Sequence, residues 1–282
     1  MLGTEALAIT YGLGSAIFWG TGDFSAGFAS RKSGVLSVVL FSQLIGAILL
    51  LFLAVLFSES LPPVRHMIFG ALAGIFGVLG LIALYIGLAQ GRMGIVAPLS
   101  AVITALIPIM VAFFREGLPQ NTQSLGLLLA LFSVWLLSYS KKQTQAYRFS
   151  ELVLPLLAGV GFGLFFVLID IASQETVFWP LVGTRCASLL LVTALFFFKS
   201  NTRMPAKSQF PFIAIAGIFD VLGNLFFALA THIGRLDISA TLSSLYPAAT
   251  VSLAWFVLKE RLVRQQWIGV GLALVSLMLI AG

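Results

Sequence analysis

Charged residues are scarce in this sequence. Asp, Glu, Lys and Arg make up 9% of its 282 residues, while 60% are hydrophobic; a soluble globular protein carries roughly 25% charged residues. Apolar runs of about 20 residues, each long enough to cross a hydrocarbon core of about 30 Å, recur from end to end. A chain this apolar cannot cover itself with polar surface. The composition therefore predicts a multi-pass membrane protein whose surroundings include the lipid bilayer.

Cysteine and histidine are also nearly absent. The single cysteine, Cys186, excludes an internal disulfide, and one cysteine with two histidines argues against a buried metal site. The sequence contains no G-x-x-x-x-G-K-[ST] phosphate loop and no H-E-x-x-H zinc motif. Its basic residues are scattered over short loops, so anionic lipid headgroups explain the net charge of +6 better than nucleic acid does. We expect no cofactor, no metal and no nucleic-acid partner.

An internal repeat divides the chain. Residues 73–80 read AGIFGVLG and residues 216–223 read AGIFDVLG, so the two stretches differ only in Gly77 against Asp220. The same register continues without a gap over about thirty residues, which indicates two homologous halves. We predict a first repeat over 1–142, a linker over 143–150 and a second repeat over 151–282.

The apolar runs predict an all-α integral membrane protein with ten transmembrane helices. They must be helices, because a lipid-exposed strand would leave its backbone unpaired. Five helices in each half is an odd number, so the second repeat is expected to lie inverted relative to the first, as in alternating-access transporters. The positive-inside rule would place both termini outside the cytoplasm, but the orientation stays open. The ten predicted spans are 5–29, 35–57, 66–89, 92–114, 122–140, 151–171, 178–198, 209–231, 235–258 and 264–281.

Several motifs, taken in order, resemble those of the drug/metabolite transporter superfamily, in particular its EamA-type branch. They are Trp19-Gly20 in the first span, Glu116 and Glu260 at the ends of spans 4 and 9, and the prolines within those two spans. The resemblance implies two inverted five-helix repeats around a central cavity that moves small metabolites or drugs across a membrane. Gln43 departs from the pattern, since an arginine is usual there and only Arg185 keeps it in the second half.

Four charged residues fall inside predicted spans and beyond their first three residues, where each costs roughly 2.5–3.5 kcal/mol on insertion scales and so needs a reason. Asp220 lies about eleven residues into its span, near the bilayer centre, with Asn224 one turn later on the same face. A carboxylate in a dry cavity can exchange a proton near neutral pH. Asp220 therefore either binds a proton or a cationic substrate group, or pairs with Arg185.

The other three ionisable residues also have two readings. Arg185 can hold a carboxylate with two hydrogen bonds, or it can pin two helices together. Asp23 and Asp170 occupy equivalent positions in spans 1 and 6, where they either take part in binding or coupling or mark the helix ends.

Hydroxyl residues follow one face of spans 4 and 9, where they either bind substrate or allow close helix packing. The resemblance places these spans against the cavity and favours binding. Trp19, in the middle of span 1, is a further candidate for contact with substrate. The hydroxyl-bearing candidates are Ser100, Thr104, Ser239, Ser243 and Tyr246.

Together these patterns predict a secondary transporter, not an enzyme, in a cell (inner or plasma) membrane. Export of amino acids or related small metabolites or drugs by alternating access is the favoured function, and the energy comes either from a proton gradient or from the gradient of the solute itself. Uptake of a sugar or other neutral solute is one alternative. A membrane-embedded enzyme using the intramembrane aspartates is another, although these lie at different depths. The sequence leaves the substrate, the direction of transport and the oligomeric state open.

Overall fold

The structure is a computed structural model that describes residues 2–30, 32–89, 93–137, 152–198, 204–258 and 263–281. The predicted linker 143–150 and Glu260 lie outside these residues. Within them all regular secondary structure is helical, as predicted. The α-helices are α1 Leu2–Ser30, α2 Val35–Leu56, α3 Val64–Ala89, α4 Met93–Glu116, α5 Asn121–Leu137, α6 Val153–Ala172, α7 Phe178–Phe198, α8 Phe210–Ile233, α9 Leu236–Ser243, α10 Tyr246–Leu258 and α11 Arg264–Ala281.

Seven stretches of the described chain are long and apolar enough to cross a membrane. They cover most of α2, α3, α4, α6, α7 and α8, and the combined α9 and α10, while α5 and α11 are shorter apolar helices. The chain is therefore a multi-pass membrane protein. The count of ten membrane-crossing helices stays a prediction.

The ninth predicted span is not one continuous helix. It is divided into α9, which ends at Ser243, and α10, which begins at Tyr246. Pro247 has no N–H to donate to the preceding turn, and Ala248 N–H instead bonds the Leu245 carbonyl at 2.8 Å in a tighter turn. Residues 236–257, which include this break, still form one of the seven stretches able to cross a membrane. In contrast, α4 continues through Pro108.

The helices of the two halves are interleaved. α1 packs along α8, α3 packs along α6, α2 packs on α7, and α5 packs on α11. The α1–α8 and α3–α6 pairings are equivalent in the repeat, because α1 corresponds to α6 and α8 corresponds to α3. Small residues allow the close approach: Gly161 of α6 lies against the backbone of Gly80 in α3, where a methyl group would collide.

The contacts also fix the helix directions. α1 is antiparallel to α8, and α8 is parallel to α2. α2 is antiparallel to α7, and α7 is parallel to α3. α3 is antiparallel to α6. The equivalent helices α1 and α6 consequently run in opposite directions.

Candidate functional site

A cavity of about 70 Å³ lies among the interleaved helices. On this measure one water molecule needs about 10–15 Å³, so the cavity holds several waters or part of a small solute. Both halves contribute to its wall. The lining residues are Trp19, Asp23, Gln43, Gly74, Gly77, Leu81, Thr104, Phe162, Phe165, Phe166, Thr184, Arg185, Asp220, Asn224 and Tyr246.

An ion pair spans the cavity between α7 and α8. Arg185 Nη1 lies 2.5 Å from Asp220 Oδ2, and the same nitrogen donates a hydrogen bond to Gln43 Oε1 of α2. Arg185 is almost fully buried, whereas the Asp220 side chain is 33% exposed. Of the two readings of Asp220, the pairing with Arg185 is therefore present, and the carboxylate also faces the cavity.

The Arg185 guanidinium retains unused hydrogen-bonding capacity. Its Nε and Nη2 atoms have no hydrogen-bond partner among the described residues. An unpaired buried donor is costly, and each such N–H suits a carboxylate acceptor. Arg185 is thus both a structural link and a candidate anion-binding group.

Asp23 lies in a different electrostatic setting. Its carboxylate accepts a hydrogen bond from the Tyr85 hydroxyl, with Oδ1 at 3.3 Å from the phenolic oxygen. Asp23 and Asp220 also line a second cavity, of about 20 Å³, between α1, α2, α3 and α8. The structure therefore places two carboxylates from different helices on the walls of the same two cavities.

An aromatic wall closes one side of the cavity. The Trp19 indole stacks on Phe166 with ring centroids 5.2 Å apart, and Phe166 stacks on the buried Phe227 at 4.2 Å. Trp19 fits there because Gly223 of α8 has no side chain where the indole lies. The wall offers an apolar surface beside the charged groups.

Not every predicted site residue reaches the cavity. Ser243 Oγ donates to the Gly12 carbonyl at 3.3 Å, and Ser239 is buried on the same short helix, α9, which packs on α1. Ser100 is fully buried and accepts, through its carbonyl, a hydrogen bond from Thr104. None of these three serines is among the residues that line the cavity. The predicted residues that do line the cavity are Trp19, Asp23, Thr104, Arg185, Asp220, Asn224 and Tyr246.

Asp170 lies away from the cavity, at one end of the bundle. Its Oδ2 is 2.7 Å from Arg115 Nη1 on α4, so the pair joins the two halves. At the same end, the Glu59 carboxylate accepts hydrogen bonds from the first backbone N–H groups of α7, including that of Phe178 at 2.8 Å. We call this end of the helix bundle, which holds the Arg115–Asp170 pair and Glu59, the ion-pair end.

Arg235 adds a second link between the halves at the ion-pair end. Its Nη2 donates to the Gly117 carbonyl at 2.8 Å and lies 3.0 Å from Asp237 Oδ2. Gly117 follows α4 with a φ of +76°, a backbone conformation that favours glycine. The hydrogen bond with Asp237 raises the pKa of Arg235, which keeps the guanidinium charged. Oε2 of Glu116, one of the motif residues of the resemblance, lies 3.8 Å from Arg235 Nε.

Several residues that line the two cavities are not among the predicted site residues. Tyr85 is one of them, although it follows Gly77 and Leu81 at intervals of four and so shares their helix face. Gln43 is another, and the sequence relates it to Arg185 only as the equivalent position of the other repeat. Its contact with Arg185 depends on the crossing of α2 and α7, for which no sequence signal exists.

Helices from both halves thus surround a cavity that carries both signs of charge and an aromatic wall, which is the architecture expected of a membrane transporter. The model of the EamA-like transporter family matches residues 6–139 and again residues 149–282. The chain belongs to this family. It is a transporter of the drug/metabolite type with a small-molecule substrate, and not an enzyme.

Two further similarities agree with this assignment. An uncharacterized protein of Methanocaldococcus jannaschii is 29% identical over 134 residues, which are 47% of this chain and 96% of that protein. This stretch is as long as each of the two family matches. A crystal structure described only as that of a protein has a TM-score of 0.80 at 15% identity, covering 96% of this chain and 95% of that one. At this identity the likeness shows the fold alone.

Proposed function

We propose that the protein exports amino acids or related small metabolites across a cell membrane by alternating access, with protons as the coupling ion. The observation that carries the proposal is the Arg185–Asp220 pair inside a cavity built by both repeats. A site with both signs of charge suits a zwitterionic solute better than a neutral sugar. Export and the cell membrane are the direction and location implied by the motif resemblance.

Ten membrane-crossing helices in two inverted five-helix repeats form the scaffold of this proposal. The opposite directions of α1 and α6 support inversion. In this arrangement the cavity opens alternately toward the two ends of the bundle. The contacts of Arg115 and Arg235 hold the ion-pair end together in the present conformation and must break when that end opens.

Asp220 is the proposed coupling group. Its ionised carboxylate would contribute to the negative charge that attracts the ammonium group of a solute. Protonation of the carboxylate would remove that charge and weaken solute binding. Solute and proton would then occupy the cavity alternately, as export driven by inward movement of protons requires.

The test is flux in proteoliposomes. A panel of amino acids and small amines is measured with and without an imposed pH gradient, in the wild-type protein and in Asp220→Asn. We expect gradient-driven accumulation of at least one amino acid, lost in the variant. Gradient-independent flux that survives in Asp220→Asn would remove the coupling role while keeping the transporter. Flux of neutral sugars alone would contradict the proposed substrate class.

A further inference from the structure

We propose that Asp23 binds the protonated amino group of the transported solute, so that the substrates are compact primary amines, amino acids among them. This assignment rests on the proposed transport function and adds to it the part of the solute that the protein recognises. It also gives the two cavity aspartates different roles. Asp220 holds Arg185, whereas Asp23 faces the solute.

The charge balance of the larger cavity leads to Asp23. Two carboxylates and one guanidinium line this cavity. The guanidinium of Arg185 lies 2.5 Å from Asp220, which compensates one negative charge. Asp23 accepts a hydrogen bond from Tyr85, a neutral hydroxyl, and no ion pair joins it to another part of the chain that the structure describes. One unit of negative charge is left for a ligand.

The shape of the smaller cavity indicates what kind of cation fits. Asp23 and Asp220 are its charged lining residues, and its volume of about 20 Å³ matches one group of the size of a water molecule or an ammonium. Trp19, Leu81 and the two aspartates line both cavities. A primary ammonium therefore fits the smaller space while the rest of the solute occupies the larger one. A quaternary ammonium is too large for this position.

Arg185 supplies an independent sign that the site is built for a ligand. It is 2% exposed, lines the larger cavity, and has two nitrogens, Nε and Nη2, without a hydrogen-bond partner among the described residues. Buried donors of this kind are normally satisfied. A carboxylate on the same solute would satisfy them, so amino acids are expected to bind as well as simple amines.

The repeat shows that the Asp23 environment is specific to the first half. Its counterpart, Asp170, is compensated by Arg115 at 2.7 Å and lies outside the cavity. Tyr85 corresponds to Ala228, 143 residues later, so the hydroxyl that holds Asp23 is also missing from the second half. Asp170→Asn is therefore a matched control, because it removes the same group from the equivalent position.

The test measures binding with three probes that share a phenyl group and differ in charge: L-phenylalanine, phenethylamine and 3-phenylpropionate. Detergent-purified wild-type protein, Asp23→Asn and Asp170→Asn are titrated by calorimetry, in sodium and in potassium buffers. We expect the wild type to bind the two amines at least tenfold more tightly than the acid. Asp23→Asn should lose at least tenfold in affinity for both amines, while Asp170→Asn should stay within twofold of the wild type.

Several results would overturn the assignment. An internal ion pair at Asp23 would leave no charge for the amine, and the wild type would then bind 3-phenylpropionate as well as phenethylamine. This comparison needs no variant, so it holds even if Asp23→Asn fails to fold. Amine affinity unchanged in a folded Asp23→Asn would contradict the proposal directly. Binding that requires sodium, and loses this requirement in Asp23→Asn, would assign the site to an alkali cation instead.

The binding result is separable from transport. Amine binding that depends on Asp23, in a protein that shows no flux of any solute, would keep the site and remove the transport function. Flux of amino acids in Asp23→Asn with unchanged affinity would keep the transport function and remove the site.

Discussion

Gln43 and Arg185 hold equivalent positions in the two repeats and are hydrogen-bonded to each other where α2 crosses α7. A duplicated position that meets its own copy lies near the symmetry axis relating the halves. The two repeats differ at this position, because one has an amide side chain and the other a guanidinium. The guanidinium also binds Asp220, whose own counterpart is Gly77. Both charges of the Arg185–Asp220 pair thus lie at positions where the two repeats differ.

Removal of one partner of the Arg185–Asp220 pair is expected to destabilise the protein. Breaking a fully buried pair costs about 3–5 kcal/mol, and because Asp220 is 33% exposed we expect about 1–3 kcal/mol for Arg185→Gln or Asp220→Asn. The double variant should be less destabilised than the sum of the two. Thermal unfolding in detergent gives the comparison.

The exposed pair Arg65–Glu175, whose side chains are 68% and 48% exposed, is the control for this comparison of single and double variants. Its double-variant cycle should show a coupling of less than about 1 kcal/mol. Equal coupling free energies in the two pairs would mean that burial of Arg185 does not strengthen its interaction with Asp220.

Gly74→Ala is expected to lower stability and flux together. A Cβ at Gly74 would meet the backbone of Thr184, so α3 and α7 would have to move apart, at a cost of about 1–3 kcal/mol. Gly27→Ala on α1 is the control, because nothing lies within 4 Å of its added Cβ. That change should raise stability by up to about 1 kcal/mol, as glycine is a poor helix former. Melting temperatures of both variants test this contrast.

Arg235→Gln is expected to loosen the ion-pair end. The variant loses the charge that links α9 to Gly117 and Glu116, so amide hydrogens around residues 115–121 should exchange at least several-fold faster. Lys207→Gln, on the short turn before α8, should leave this exchange unchanged. Hydrogen exchange with mass spectrometry makes the measurement. Unchanged protection would show that apolar packing alone closes this end.

Pro247→Ala is expected to reduce flux more than it changes stability. Alanine restores an N–H, so α9 and α10 can join into one helix and move Tyr246 at the cavity wall. Pro108→Ala in the continuous helix α4 is the matched control and should have the smaller effect on flux. Initial transport rates in proteoliposomes, measured together with melting curves, separate an effect on flux from an effect on stability. Equal effects would argue against a role for the break.

Local properties of the sequence determined a large part of this protein. Apolar runs require helices in lipid, and the repeated octapeptide relates Gly77 to Asp220. Helical spacing placed Asp220 and Asn224 on one face, and both line the cavity. These inferences succeed because hydropathy and helical periodicity depend on residues that are near one another in the chain.

The tertiary structure decided which neighbour covers each helix face. Spacing puts Ser239 and Ser243 on one face of a helix, but only packing shows that α9 rests on α1. Asp23 and Asp170 are equivalent in sequence, yet one lies at the cavity and the other pairs with Arg115. Arg185 contacts Gln43, 142 residues away, through a helix crossing. Such contacts depend on how whole helices pack, which the periodicity of a single helix does not encode.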